Sequence, residues 1–363
     1  MAKTRRSSGL NVPPPKRAED QLMRTYRRIG RRTLQLLTAE VLPAVADGNA
    51  PRVAEKLKNV QGTIDQEFDD SWIREEAEKS GRRVNRTNAA LFYGALAAKA
   101  RIRIVGAPDS PIPLGRVLGT RGPRVIAQLN FQPQILIDGF VDQNIRYIST
   151  LRAGITEAVG DQIAAASVLG STTGAVTGEA LVSFSQPEIA ERLLEQWKKN
   201  GVPSRIPTRR IKKNGKPATI TLENHANLIA RDQISKLNGQ LNKTRQTSAG
   251  IAKFVWRTQQ DDRVRDEHEA LAGKTFGWEE GAGGLIPGEP INCRCWGEAV
   301  VDRDQILADG NWIPVGDDEI EGFSERSRRG ARQVDPGPGA SIEADPSLKG
   351  VRFREVGGAA DPF

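Results

Sequence analysis

Thiol and imidazole side chains are scarce in this chain, and they are gathered in one stretch. Both cysteines, Cys293 and Cys295, and one of the two histidines, His268, fall between Trp256 and Cys295, beside Asp261, Arg263 and Arg265. Thiolate sulfur and imidazole nitrogen suit zinc, and a structural zinc normally takes four donors in a tetrahedron. Asp261 or His225 would have to be the fourth. The spacing argues against common zinc modules: 24 residues separate His268 from Cys293, and Cys-x-Cys lacks the two-residue knuckle turn. A nucleophilic reading uses Cys293 or Cys295 with His268 as base and Asp261 orienting it. A zinc hydrolase with Glu267 or Glu269 as base is a variant of it. Neither has a supporting motif, since there is no His-Glu-x-x-His, no Gly-x-Ser-x-Gly and no Walker loop, and Gly281-Ala282-Gly283-Gly284 is followed by no Lys-Ser/Thr. The third reading is a folded loop cluster whose cysteines are small buried hydrophobes and whose His268 and Asp261 hydrogen-bond the backbone. All three stay open on sequence. The chain is read as non-enzymatic, with no cofactor required and zinc the single candidate.

Charged and aromatic residues fill the rest of the stretch. Arg263, Arg265 and Arg294 read as forks onto carboxylates, with Asp261, Asp262, Asp266 and Glu267 close at hand; phosphate contact is the functional alternative. Trp256, Phe276, Trp278 and Trp296 are expected to supply the core that a short loop-rich region otherwise lacks.

The elements that must position this stretch follow from hydrophobic period. Leu222, Ala226, Ile229, Ile234, Leu237 and Leu241 predict a helix that ends near Ser248-Ala249-Gly250, and Ile251–Trp256 predicts a strand. Upstream, Leu22, Tyr26, Ile29, Thr33, Leu36 and Leu37 recur at helical spacing, as do Val53, Leu57, Val60 and Ile64. Residues 89–100 form a small-residue helix candidate, and Ile102 and Ile104 a short strand. Val141, Ile145, Ile148, Ile155, Val159 and Ile163 predict one long amphipathic helix. Ser185 caps another that holds Pro187, Ile189, Leu193, Leu194 and Trp197. The expectation is an α+β protein, mainly helical, with a small loop-rich β-containing C-terminal module. Its parts are a flexible basic arm (1–18), an N-terminal helical region (19–106), a Pro/Gly-rich linker (107–135), a domain (136–303) with a basic Asn214-Gly215 hairpin inserted at 201–221, and an extended tail (304–363).

The net charge of +8 is carried by residues 1–37, which hold ten Lys or Arg against Glu19 and Asp20, so the remainder is formally neutral. Arg5, Arg6, Arg24, Arg27, Arg28, Arg31 and Arg32 are therefore the candidate nucleic-acid contacts, because a basic arm on a neutral body meets polyanions; a solvated tail is the alternative. No apolar run approaches the ~20 residues of a membrane span, so no membrane is expected as a partner. The N-terminus lacks the apolar core of a secretory signal, and two cysteines one residue apart build no disulfide framework; both suit a reducing cytoplasm.

In order along the chain stand Trp256 and Thr258, Asp261-Asp262-Arg263-Val264-Arg265, His268, Leu271-Ala272-Gly273-Lys274-Thr275-Phe276 and, after a Pro/Gly-rich loop, Cys293-Arg294-Cys295. Ala230-Arg231-Asp232-Gln233, Asn242, Arg245-Gln246 and Gly250 precede them. This series resembles the phage Mu gpF-like head morphogenesis domain, the minor head protein of tailed phages, over roughly residues 136–302 and most specifically in the last third. The resemblance implies a low-copy virion component at the portal or capsid interior, assembled in the host cytoplasm. Portal protein, major capsid protein and DNA are the partners it implies. Two competing classes remain: a nucleic-acid-binding protein with a zinc-stabilised module, and a toxin-like enzyme built on the same module.

Overall fold

The computed structural model describes residues 10–106, 112, 116–127, 133–172, 185–204, 212–213, 216–217 and 220–314. Arg5, Arg6 and the expected tail beyond Pro314 lie outside them. In chain order the elements are α1 (Lys16–Leu36), a π-turn (Leu37–Val41), α2 (Leu42–Ala46), α3 (Ala50–Glu67), α4 (Asp70–Ala100), β1 (Arg103–Val105), β2 (Val117–Leu118) and β3 (Arg124–Ala127). Then come α5 (Pro133–Ala153), α6 (Ile155–Thr172), α7 (Gln186–Asn200), β4 (Pro203–Ser204), β5 (Lys212–Lys213), β6 (Lys216–Pro217), β7 (Ile220–Thr221) and α8 (Leu222–Ser248). The last elements among the described residues are β8 (Lys253–Arg257), α9 (Asp266–Glu269), β9 (Thr275–Gly277), β10 (Trp296–Ala299), α10 (Arg303–Asp309) and β11 (Trp312–Pro314). It is a mainly helical α+β protein with small sheets. Among the described residues no helix is long and apolar enough to cross a membrane.

The chain divides into two compact units that interleave along the sequence, instead of the contiguous parts its composition suggests. One unit comprises residues 15–84 and 134–237 and is built from helices. The apolar stripe of α1 lies in its core, with Leu22, Tyr26, Ile29 and Thr33 fully buried and Leu37 continuing it past the helix end. The Tyr26 hydroxyl donates to Asn144 Oδ1 at 2.7 Å, so a buried phenol is satisfied where burial alone would penalise it. The long helix expected across 141–163 is two, because Gly154 interrupts it between α5 and α6. At α7 Ser185 stands at the N-cap as expected, and the Glu188 carboxylate joins it in a capping box. Lys212 pairs with Pro217 and Lys213 with Lys216, antiparallel, while the expected turn at Asn214-Gly215 lies outside the described residues.

The second unit comprises residues 1–14, 85–133 and 238–363. Its larger apolar cluster joins Phe92, Tyr93 and Leu96 of α4 to Ile104, Val125, Ile251 and Ile306, and it includes Leu10 and Val12. A flexible arm through residue 18 is therefore incorrect from Leu10 onward. Leu10 bridges to Ala299, Val12 is buried and α1 starts at Lys16; two apolar residues in a polar segment suffice to anchor it when a hydrophobic surface awaits them. The Pro/Gly-rich stretch is likewise more than a linker, since β2 and β3 join β1 and β11 in a sheet ordered β11-β3-β1-β2. Gly119 and Gly122 permit it: both have positive φ, and a Cβ on either would meet the backbone at Arg101 or Ile102. The segment after residue 303, read as tail, starts with helix α10 and strand β11.

Candidate functional site

The three-stranded sheet β10-β8-β9 carries the site, and α8 sets it in place. Gln246, near the end of α8 and fully buried, accepts a hydrogen bond from Trp278 Nε1 and donates one to the Gly297 carbonyl, both at 2.9 Å. One side chain thus ties the helix to strand β10 and to the turn after β9. A turn earlier, Asn88 donates to Asn238 and Asn242 at 2.8 Å, these donate to the Val12 carbonyl, and the Arg245 guanidinium reaches Asn85 and Asn88. Burial draws Arg245 down to about 10, against the pull of Tyr93. Asn238, Asn242 and Arg245 stand at i, i+4 and i+7 of α8, so polar residues at helical spacing were the available sign of this network.

Aromatic rings form the floor. Trp256 of β8 is fully buried and stands edge-on to the His268 ring, 5.6 Å between centroids and 73° between planes. Phe254 stacks on Trp278 at 4.1 Å, and Phe276 lies within 6.4 Å of both Phe254 and Trp256. Thr258 is buried just after β8. Gly273, at φ +79°, turns the chain so that its N–H reaches the Trp256 carbonyl and Trp256 N–H reaches the Lys274 carbonyl, both at 2.9 Å. These bonds return the chain into β9 against β8.

His268, on the single turn α9, and the two cysteines converge on this floor. All three side chains are nearly inaccessible, at 3%, 3% and 4% exposure for His268, Cys293 and Cys295. Cys293 Sγ lies 3.5 Å and Cys295 Sγ 3.6 Å from the same atom, His268 Nδ1, and Cys295 N–H points at Cys293 Sγ from 3.4 Å. The other ring nitrogen, Nε2, is 3.8 Å from Glu267 Oε1. The cysteines are delivered by a turn in which Cys293 N–H bonds to the Pro290 carbonyl with Asn292 at φ +56°, a conformation asparagine tolerates. Gly239 of α8 lets the preceding loop come close, since a Cβ there would sit 2.5 Å from the Pro287 carbonyl oxygen.

The two thiols are electrostatically unlike. The hydrogen bond from Cys295, then backbone N–H groups of Cys295 and Gly288 and the nearby His268, draw Cys293 down to about 6 against burial. Cys295 is pushed up, first because its proton is shared with Cys293 and then by burial. The proton between the two sulfurs is thus held on Cys295, and thiolate character is favoured at Cys293.

The arginines and Asp261 sit around this cluster and not in it. Asp261 forms a close ion pair with Arg294, 2.6 and 2.7 Å from one guanidinium nitrogen to both oxygens, and Arg294 holds its carboxyl below the usual carboxylate range. Arg265 donates to the Ile291 carbonyl, securing the loop before Cys293, while Arg263 is exposed. A cleft of about 110 Å³ opens beside the cluster, with Gln259, Arg263, Arg265 and Asn292 among its walls. His225 belongs to the other unit, where its Nδ1 lies 2.9 Å from Ser204 Oγ and burial lowers its pKa. Neither fourth donor considered on sequence, Asp261 or His225, therefore joins the cluster. Among the described residues, His268, Cys293 and Cys295 are the one group of three metal-capable side chains whose donor atoms all lie within 4.8 Å of one another.

The candidate basic residues are partly engaged. Arg27 pairs with Glu223 at 3.0 Å and Arg32 with Glu67 at 2.6 Å, whereas Arg24, Arg28 and Arg31 are exposed along α1, Arg28 with its guanidinium 5.9 Å from the Trp72 ring.

Residues 193–297 match the family model described as phage Mu protein F like protein. A relative from Haemophilus influenzae, described as an uncharacterized protein, is 38% identical over 88 residues. That alignment covers 24% of this chain and 20% of the relative, so the match spans about a fifth of the relative's length. No solved structure matches the chain.

Proposed function

We propose that this chain, whose residues 193–297 form a phage Mu protein F-like domain, works as a minor head protein of a tailed phage. In this reading it is a low-copy virion component, made in the host cytoplasm, that joins the portal or the inner surface of the capsid during head assembly. The observation that carries the reading is the family match, which takes in the whole of α8 and of the Trp256–Cys295 site. In particles produced by the replicon that encodes the chain, mass spectrometry is expected to find it in purified heads at far fewer copies than the major capsid protein. Cross-linking is expected to join it to portal or capsid. Recovery only in the particle-free fraction overturns the reading.

Binding to packaged DNA is the finer part of the proposal, supported by Arg24, Arg28 and Arg31, which are exposed at i, i+4 and i+7 of α1. Deleting residues 1–37 would also strip Leu22, Tyr26 and Ile29 from a core, so charge substitution is the cleaner probe. Arg24→Gln, Arg28→Gln and Arg31→Gln together are expected to weaken duplex binding and to flatten its salt dependence, by about 0.9 in log–log slope for each phosphate that is no longer neutralised. Unchanged affinity and slope remove DNA from the partners of this face.

A further inference from the structure

We infer that His268 Nδ1, Cys293 Sγ and Cys295 Sγ are the protein ligands of a tetrahedral thiophilic divalent cation, zinc by the chemistry of the donors. Distance carries the inference. Zn–S bonds of about 2.3 Å and a Zn–N bond of about 2.0–2.1 Å, opened to the tetrahedral angle, set sulfur and nitrogen about 3.6 Å apart. The two sulfurs stand 3.5 and 3.6 Å from the nitrogen, and all three donor atoms lie within 4.8 Å of one another. Ordinary packing has no reason to bring both sulfurs to the same atom. An imidazole nitrogen carries one proton or one lone pair, so a hydrogen bond to Nδ1 accounts for one sulfur at that distance and not for two. A cation on that lone pair serves both.

Three surrounding features fit the same assignment. Glu267 stands 3.8 Å from His268 Nε2, the position from which a carboxylate orients a metal-bound imidazole. Backbone N–H from Cys295 is directed at the Cys293 sulfur, which spreads the charge of a ligating thiolate. Trp256 and the surrounding apolar cluster close the floor, so two sulfurs and an imidazole are withdrawn from water at a cost that a cation would offset. Three protein donors leave a fourth position, and the adjoining cleft of about 110 Å³ has room for a water, whose share of liquid volume is about 30 Å³. The 24-residue gap between His268 and Cys293 hides the site from motif reading, because the gap is spent on β9 and its following turns, which bring the ends back together.

Cobalt(II) titration of the reduced full-length chain tests the assignment. The expected result is a thiolate-to-cobalt charge-transfer band with the intensified visible absorption of a tetrahedral site, saturating at about one equivalent and displaced by zinc. Cys295→His keeps a donor while removing one thiolate, so it is expected to halve the charge-transfer intensity and still saturate near one equivalent. Absence of the band in the wild-type chain, or full intensity retained in Cys295→His, overturns it. The wild-type spectrum is decisive even where a variant fails to fold.

Discussion

Gln246→Leu is expected to lower the stability of the unit that carries the site by about 2–6 kcal/mol. The substitution keeps the volume and the helix and removes two hydrogen bonds at once. It strands the Trp278 indole N–H and the Gly297 carbonyl, each now 2.9 Å from its Gln246 partner, in a buried setting. A buried polar group left without a partner costs about 1–3 kcal/mol, and there are two. Against a native margin of roughly 5–15 kcal/mol this is a large fraction. Urea unfolding followed by tryptophan fluorescence reads it directly, since the indole concerned changes its environment. A loss below about 0.5 kcal/mol would mean that the helix and the sheet are held by packing alone.

The second large effect has an unusual sign. Replacing glycine by alanine inside a strand ordinarily gains roughly 0.5–1 kcal/mol, because glycine loses more conformational freedom on folding. Gly297→Ala in β10 is expected to do the reverse and cost about 1–3 kcal/mol. Its Cβ would lie 2.5 and 2.7 Å from two ring carbons of Trp278 and 3.1 Å from Phe254. Trp278 has little freedom to withdraw, being stacked on Phe254 at 4.1 Å and bonded through Nε1 to Gln246. Trp278→Phe in the same chain removes the offending carbons, so the double variant is expected to be more stable than the sum of the two single losses, with a coupling of about 0.5–3 kcal/mol. Strict additivity in a denaturation double-mutant cycle would show that the ring is not the obstacle.

How far the sequence discloses this molecule depends on the range of the interactions involved. Helices held by their own stripe were legible: Leu22, Tyr26, Ile29 and Thr33 on α1, and Ile234, Leu237 and Leu241 on α8, are buried as their spacing implies. The Ser185 cap and the pairing of Lys212-Lys213 with Lys216-Pro217 are local, and local chemistry announces them. The strands of the Pro/Gly-rich stretch were not legible. β3 is stabilised by β1 and β11, and Trp312↔Ala127 pairs residues far apart in the chain, so no window of neighbours contains the cause. At the site, scarcity of residue type singled out His268, Cys293 and Cys295, and the aromatic floor was expected from Trp256, Phe276 and Trp278. The roles within it needed coordinates. Asp261 carries the same charge whether it faces the cysteines or Arg294, and only the fold shows that it is taken by Arg294. Gln246 stood among the residues that carry the resemblance, but its role was hidden, because a glutamine near a helix end is unremarkable until two buried groups are found depending on it.

The bridge from Leu10 to Ala299, with Trp296 Nε1 donating to Asn11 beside it, bears on the order in which the protein comes into being. Asn11 and Trp296 are separated by 285 residues. At a synthesis rate of roughly 5–20 residues per second, about 15–60 s pass between the emergence of Asn11 from the ribosome and that of Trp296. Residues 15–84 and 134–237 are all available before that time and can collapse into their unit while translation continues. The unit that holds the thiols cannot close until the chain has been read past Ala299. The Leu10 bridge, and β11 against β3 after it, are thus late additions, so apolar residues made among the first meet their strand partner only when the described chain is nearly all synthesised.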